Sequence, residues 1–149
     1  VRFEFRYALG GIVALVHDVL VTITFLSLFN KEFDLNIVAA LLTIIGYSIN
    51  DTIVIFDRIR ENARKNTRQS LNDVINASVN QTLSRTILTS LTVFMVLVVL
   101  FFFGGAVIHD FTFALLVGTI AGVYSTVFIA SPIVLLFEKI KPTGLKRKK

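Results

Sequence analysis

The run from Thr92 to Val107 carries no charged side chain and is apolar all round. A soluble helix of that length shows one polar face to water, so this run belongs in a bilayer or in the middle of a buried bundle. The hydrocarbon core of a bilayer is roughly 30 Å thick and each helical residue rises about 1.5 Å, so a spanning helix needs about 20 largely apolar residues. Four segments meet that requirement, approximately 8–29, 36–56, 83–103 and 111–137. The last is longer than a straight span requires, and is expected to tilt or to break at Pro132, which has no backbone N–H to donate. Composition supports the membrane: 54% of the 149 residues are hydrophobic, mean hydropathy is +0.76 and only 17% are charged. A typical soluble domain carries about a quarter of charged residues. The expected fold is therefore an all-α polytopic membrane protein with a four-helix transmembrane domain over 8–137, and a disordered chain, a collagen or a coiled coil is excluded.

The 15 lysines and arginines orient the spans, because cytoplasmic loops are enriched in both. Arg2 and Arg6 precede the first span, Arg58, Arg60, Arg64, Lys65 and Arg68 lie in the 57–82 loop, and Lys139, Lys141, Lys146, Arg147, Lys148 and Lys149 follow the fourth. Only Lys31 lies on the other side, and Arg85 is left at or inside the membrane. Both ends, the segment 1–7 leading into the membrane and the tail 138–149, are thus expected in the cytoplasm, with the loops at Lys31–Asp34 and Gly104–Asp110 facing out. The net charge of +5 is then explained by topology and by anionic lipid at the basic loop and tail, without nucleic acid. With Val1 in place of an initiator methionine, and no signal peptide, the chain reads as a piece of a longer protein. Within the cytoplasmic loop Leu71, Val74, Ile75 and Val79 recur at helical spacing. They fit equally an amphipathic helix on the membrane surface or an extension of the third span.

Polar groups inside the spans are the informative ones, since a central Asp or Arg costs about 2.5 to 3.5 kcal/mol even on lenient scales. The first span carries His17 and Asp18, followed by Thr22, and the second carries Tyr47, Ser48, Asn50 and Asp51, with Asp57 at its cytoplasmic edge. The third places Arg85, Thr89 and Thr92 along one stripe, while the fourth carries no charge. Helix rise puts Asp51 roughly 9 Å inside its boundary. Arg85 lies at a similar depth on the next span, so the two are expected to pair. Such a pair reads either as a structural lock between helices or as a proton switch, in which protonating the acid releases the arginine. His17 and Asp18 point about 100° apart on a helix and are not expected to form a couple; His17 reads as an interior hydrogen-bonding residue, and Asp18, near the midplane, as functional. Gly118, Gly122 and Ser125, with Ala114, form a small-residue face for helix packing. With no cysteine and two separated histidines, no metal or cofactor site is expected, and no hydrolytic motif suggests an enzyme.

The stretch Gly46-Tyr-Ser-Ile-Asn-Asp-Thr-Ile-Val-Ile-Phe-Asp-Arg-Ile-Arg-Glu-Asn62 resembles the SecF family, membrane subunits of the bacterial protein-export accessory complex. Val1-Arg-Phe-Glu-Phe-Arg6 with Ala14-Leu-Val-His-Asp-Val19, Gln81-Thr-Leu-Ser-Arg-Thr86 with Thr89-Ser90, and Gly118 to Pro132 are similar to that family's third, fifth and sixth helices. The Ser48-Ile-Asn-Asp-Thr52 sequence favours SecF over the related SecD. The resemblance implies the C-terminal four-helix half-bundle of a resistance-nodulation-division fold in the bacterial inner membrane. It further implies a SecD partner, the SecYEG channel and the translocating polypeptide as associates, and a role coupling the proton gradient to late protein export. It assigns proton transport to Asp51, Arg85 and Thr89, with the second carboxylate supplied by SecD. The alternatives are a structural subunit that moves no protons and a proton-coupled exporter of the same superfamily.

Overall fold

The structure, a computed structural model, describes residues 2–65 and 69–140, and no strand occurs among them. Its elements are α1 (Arg2–Leu28), α2 (Leu35–Lys65), α3 (Leu71–Phe103), α4 (Ala106–Ser125), a π-helical turn (Thr126–Ala130) and α5 (Ser131–Ile140). Four stretches are long and apolar enough to cross a membrane: Tyr7–Leu28, Leu35–Lys65, Leu71–Phe103 and Ala106–Leu136. Local chemistry sets several helix ends. Asp34 Oδ1 accepts the Ile37 N–H at 2.9 Å to start α2, and Ser70 caps α3 by accepting the Asp73 N–H at 3.2 Å. At the Gly104–Gly105 turn, Gly105 has φ +78°, in the region that favours glycine.

At the far end of the bundle α1, α2 and α3 stop within a residue of the positions that hydropathy predicts, whereas α4 starts at Ala106, five residues before the expected 111, and reduces the expected Gly104–Asp110 loop to a turn at Gly104–Gly105. At the basic end they run on. α1 begins at Arg2 instead of residue 8, α2 continues to Lys65 and α3 starts at Leu71, so most of the expected 57–82 loop is helix. Hydropathy detects only the stretch that must be apolar on every side, whereas the extensions are amphipathic and bury a single face. Leu71, Val74, Ile75 and Val79 therefore extend the third span: Leu71, Ile75 and Val79 pack on a core of Tyr7, Ile55, Phe56, Ile59 and Val134, and Val74 is buried beside them on the same helix. The final span also departs from expectation. Its α-helix is interrupted at Thr126–Ala130, just ahead of Pro132. A π turn widens the helix where the proline ring would collide with the carbonyl four residues back, and the Ser131 hydroxyl donates to the Thr126 carbonyl at 3.3 Å. The basic tail lies outside the described residues from 141 onward.

α4 is the hub, packed against α1, α2 and α3. A second core of Leu26, Ile37, Ala40, Ile44, Leu97, Ala114 and Leu115 fills the far end. Between the two apolar cores the interior is polar: Asp18, Thr22, Ser48, Thr52, Ser125 and Thr126 are all buried. Such groups persist inside a membrane bundle only when their hydrogen bonds are made internally.

Candidate functional site

Along α2 the buried positions Ile37, Ala40, Ile44, Ser48, Asp51, Ile55, Ile59 and Asn62 recur at spacings of three and four. They form one core-facing stripe, and Asp51 stands within it at 8% exposure. On α3 the corresponding stripe is Val74, Ser78, Thr82, Thr86 and Ser90, one residue per turn and mostly small. Two bonds lock the stripes in register: Asn62 Nδ2 donates to Ser78 Oγ at 2.8 Å, and Tyr47 Oη donates to Ser90 Oγ at 3.1 Å. Counting along the antiparallel helices from either bond brings Asp51 level with Thr86 to Thr89, which places Arg85 within a turn of it. The predicted common depth is therefore present.

The predicted bond is not. Asp51 has no hydrogen bond or ion pair with the described residues, while the Arg85 guanidinium acts on it from longer range. Arg85 sits one residue off the buried stripe of α3, on its exposed flank, and so is not in the bundle interior. It lines a groove of about 760 Å³ between α2 and α3, together with Val54, Asp57, Arg58, Gln81 and Thr82. Thr89 shares the exposed flank, and its hydroxyl donates to the Arg85 carbonyl at 3.0 Å and the Thr86 carbonyl at 3.1 Å. The Thr86 hydroxyl is buried with no hydrogen-bond partner among the described residues.

A second polar centre lies one turn further along α2. Asp18 is fully buried, and Ser48 Oγ donates to its Oδ2 at 2.5 Å. His17 Nδ1 lies 3.2 Å from Asp18 Oδ1. This corrects the expectation that His17 and Asp18 do not meet: Cβ directions diverge between neighbours on a helix, but the rotamers of these two side chains turn their ends together. Thr22 Oγ1 donates to the Asp18 carbonyl at 2.8 Å. Asp18 and Ser48 thus tie α1 to α2.

The small-residue face of α4 packs as its sequence suggests. A Cβ on Gly118 would overlap the side chain of Ile44, while one on Gly122 would meet Ser48 Cβ at 3.5 Å and Asp18 Oδ2 at 3.8 Å. Ser125 is buried and donates to the Gly122 carbonyl at 3.1 Å. Asn50 is exposed, away from both polar centres. Sequence reasoning missed the Thr52–Thr126 contact at 3.5 Å and the role of Asn62, which also donates to Gln81 Oε1 at 2.9 Å. The signal for Asn62 was available in the stripe spacing of α2. Among the described residues no group of three or more His, Cys, Asp or Glu is placed to hold a metal.

Residues 1–140 match the family described as protein export membrane protein SecD/SecF, C-terminal. The chain is 54% identical over 136 residues to the protein translocase subunit SecF of Alicyclobacillus acidocaldarius, covering 89% of this chain and 44% of that protein. It is 58% identical over 137 residues to SecF of Magnetococcus marinus, covering 92% of this chain and 44% of the relative. The chain thus spans somewhat under half the length of these curated relatives. Among solved structures it superposes on SecDF from Thermus thermophilus, a translocon-associated membrane protein, with TM-score 0.88 and 43% identity over 93% of this chain and 19% of that one. SecDF in its super-membrane-facing form gives TM-score 0.89 at 42% identity, with the same coverage of 93% and 19%. The stretches Gly46–Asn62 and Gln81–Ser90, which carry the family resemblance, also carry Asp51 on the buried stripe and Arg85 on the open flank. The chain is a multi-pass membrane protein of the SecD/SecF protein-export family, SecF-like within it.

Proposed function

We propose that this chain is the membrane half of a SecF-type accessory subunit that couples the proton gradient to a late step of protein export, together with a SecD-type partner and the SecYEG channel. The observation that carries the reading is Asp51, a buried carboxyl on the core stripe of α2 that is bonded to no described residue and lies within the charge influence of Arg85. A static lock between helices would close that pair into a bond. An open acid beside a movable cation is the arrangement in which gain or loss of one proton changes the local force balance most. In this reading the basic end of the bundle faces the cytoplasm of the bacterial inner membrane. A proton entering from outside neutralises Asp51, Arg85 turns toward the partner, and α2 shifts against α3. Moving one charge through 100 mV supplies about 2.3 kcal/mol, enough to change a two-state ratio by about fiftyfold. Arg85 and Thr89 lie on an exposed flank, where the partner subunit would add its own carboxylate and cover the face. The emerging polypeptide would be engaged by parts of the protein outside this chain, and the chain itself performs no covalent chemistry.

A purely structural role is favoured by the close fit of Gly118 on Ile44 and the bond from Ser48 to Asp18, both of which hold helices together. One experiment separates the readings. Full-length protein with its partner is tested for secretion of a reporter under a normal and a collapsed proton gradient, as wild type and as Asp51→Asn, with assembly followed by co-purification. Asp51→Asn is expected to assemble and to lose the gradient-dependent part of secretion. Retained gradient dependence would rule out Asp51 as the proton carrier.

A further inference from the structure

A groove of about 360 Å³ runs between α1 and α2 at the basic end, lined by Tyr7, Gly11, Ile12, Leu15, Ile49 and Ile53, with Arg60 and Asp57 as its charged groups. Its volume falls in the range of about 300 to 1,000 Å³ typical of small-molecule sites. The walls are apolar and face outward: Ile12 is 55% exposed and Ile53 is 56% exposed. Gly11 keeps the floor low, since a Cβ there would rest on Thr52 Cγ2 at 3.7 Å and Phe56 Cε2 at 3.9 Å.

Arg60 also lines the adjoining groove that, among the described residues, holds Arg58, Arg64, Lys65 and Arg85 against two acids, Asp57 and Glu61. Its guanidinium lies over the Tyr7 ring at 4.8 Å, which holds it at the junction of the two grooves. Its Nε is buried and has no hydrogen-bond partner among the described residues, and its NH1 makes a long ion pair with Asp57 Oδ1 at 3.8 Å, outside hydrogen-bond distance. By contrast Arg58 is used up, bonded to Gln81 at 2.7 Å and to Glu61 at 2.6 Å. A positioned guanidinium with unused donors, above an apolar slot, suits a phosphodiester whose acyl chain runs down the slot.

We propose that the α1/α2 groove with Arg60 is a binding site for one anionic phospholipid of the leaflet at the basic end. Within the groove Arg60 faces a single acid, Asp57, and the excess of cations that favours an anionic headgroup over a zwitterionic one lies in the adjoining groove that Arg60 also lines. The site goes beyond the proton-coupling reading and rests only on the chain crossing a membrane.

The test uses the full-length protein with its partner subunit, delipidated, re-exposed to phosphatidylglycerol or phosphatidylethanolamine and weighed intact by native mass spectrometry. Phosphatidylglycerol retention is expected to fall about tenfold in Arg60→Gln, the loss of one charge-assisted contact, and to stay within about twofold in Arg64→Gln. Ile12→Trp, which fills the slot and leaves every charge in place, is expected to lose retention as well, and it carries the test if Arg60→Gln fails to fold. Equal losses in Arg60→Gln and Arg64→Gln would reduce the effect to diffuse attraction and overturn the site. Equal retention of phosphatidylethanolamine, displacement by inorganic phosphate alone, or a cross-link from Ile12→Cys to a helix of the partner would overturn it too. Asp51→Asn is expected to retain the lipid, so failure of the proton reading and failure of the lipid site give different results.

Discussion

Asp18 and Asp51 are both acids in a membrane-spanning bundle, yet their surroundings differ. Asp18 has no exposure and takes a 2.5 Å bond from Ser48, whereas Asp51 is left without a partner among the described residues. The first arrangement is what a structural polar group needs, because a buried acceptor stripped of its donor loses its compensation for leaving water. Ser48→Ala is therefore expected to destabilise the fold by about 2 kcal/mol. The check is denaturant unfolding in detergent, compared with Asp51→Asn, which breaks no bond and should unfold close to wild type. Both acids were legible in the sequence because charge inside an apolar run is costly and therefore rare. Which acid was satisfied and which was open could not be read there, since that depends on how α1 and α3 are rotated against α2.

At the scale of elements, the small residues of α4 decide how closely the hub approaches its neighbours. Gly118 and Gly122 look equivalent in a four-residue repeat, but their surroundings are not. A Cβ at Gly118 would overlap Ile44, a β-branched side chain that is itself 2% exposed and has little room to move, whereas a Cβ at Gly122 would make ordinary contacts. Gly118→Ala is expected to cost about 1 to 3 kcal/mol through overpacking. Gly122→Ala should be near neutral, since any contact strain is offset by the better helix propensity of alanine, by up to about 1 kcal/mol. Thermal melting of the two variants in the same detergent checks the contrast. Restoration of the Gly118→Ala loss by Ile44→Ala would confirm that the clash is with that side chain. The π turn at Thr126–Ala130 belongs to the same scale. Pro132 announced an interruption in the fourth span, but its position, a turn before the proline, follows from where the ring meets the preceding carbonyl.

For the molecule as a whole, the described residues leave several grooves open on the flanks, and two of them bear on partners. One is the α2/α3 face with Arg85 and Thr89, the other the lipid-sized groove between α1 and α2. If a partner bundle completes the first, a thiol placed there will change accessibility on assembly. Arg85→Cys is expected to react readily with a water-soluble maleimide in the isolated subunit and to be protected several-fold in the complex with a SecD-type partner. Equal labelling rates in both states would place the partner on another face. At the opposite end Lys31, the single cation predicted on the outer side, is paired with Asp110 at 2.7 Å. That bridge links the α1–α2 connection to α4 and gives the outer lysine a local reason that charge counting lacked.

The sequence by itself determined that the chain crosses a membrane with four helices, which end is basic, and which few polar residues lie among the apolar ones. Those are consequences of hydrocarbon thickness and of the cost of burying charge, and they act on each segment alone. The tertiary structure decided how far the helices extend past the hydrocarbon, that His17 reaches Asp18, and that Arg85 stands on an exposed flank beside an unbonded Asp51. Each of these depends on the rotation and register of one helix against another, and that is set by packing among all of them: Ser78 against Asn62, Ser90 against Tyr47, Gly118 against Ile44.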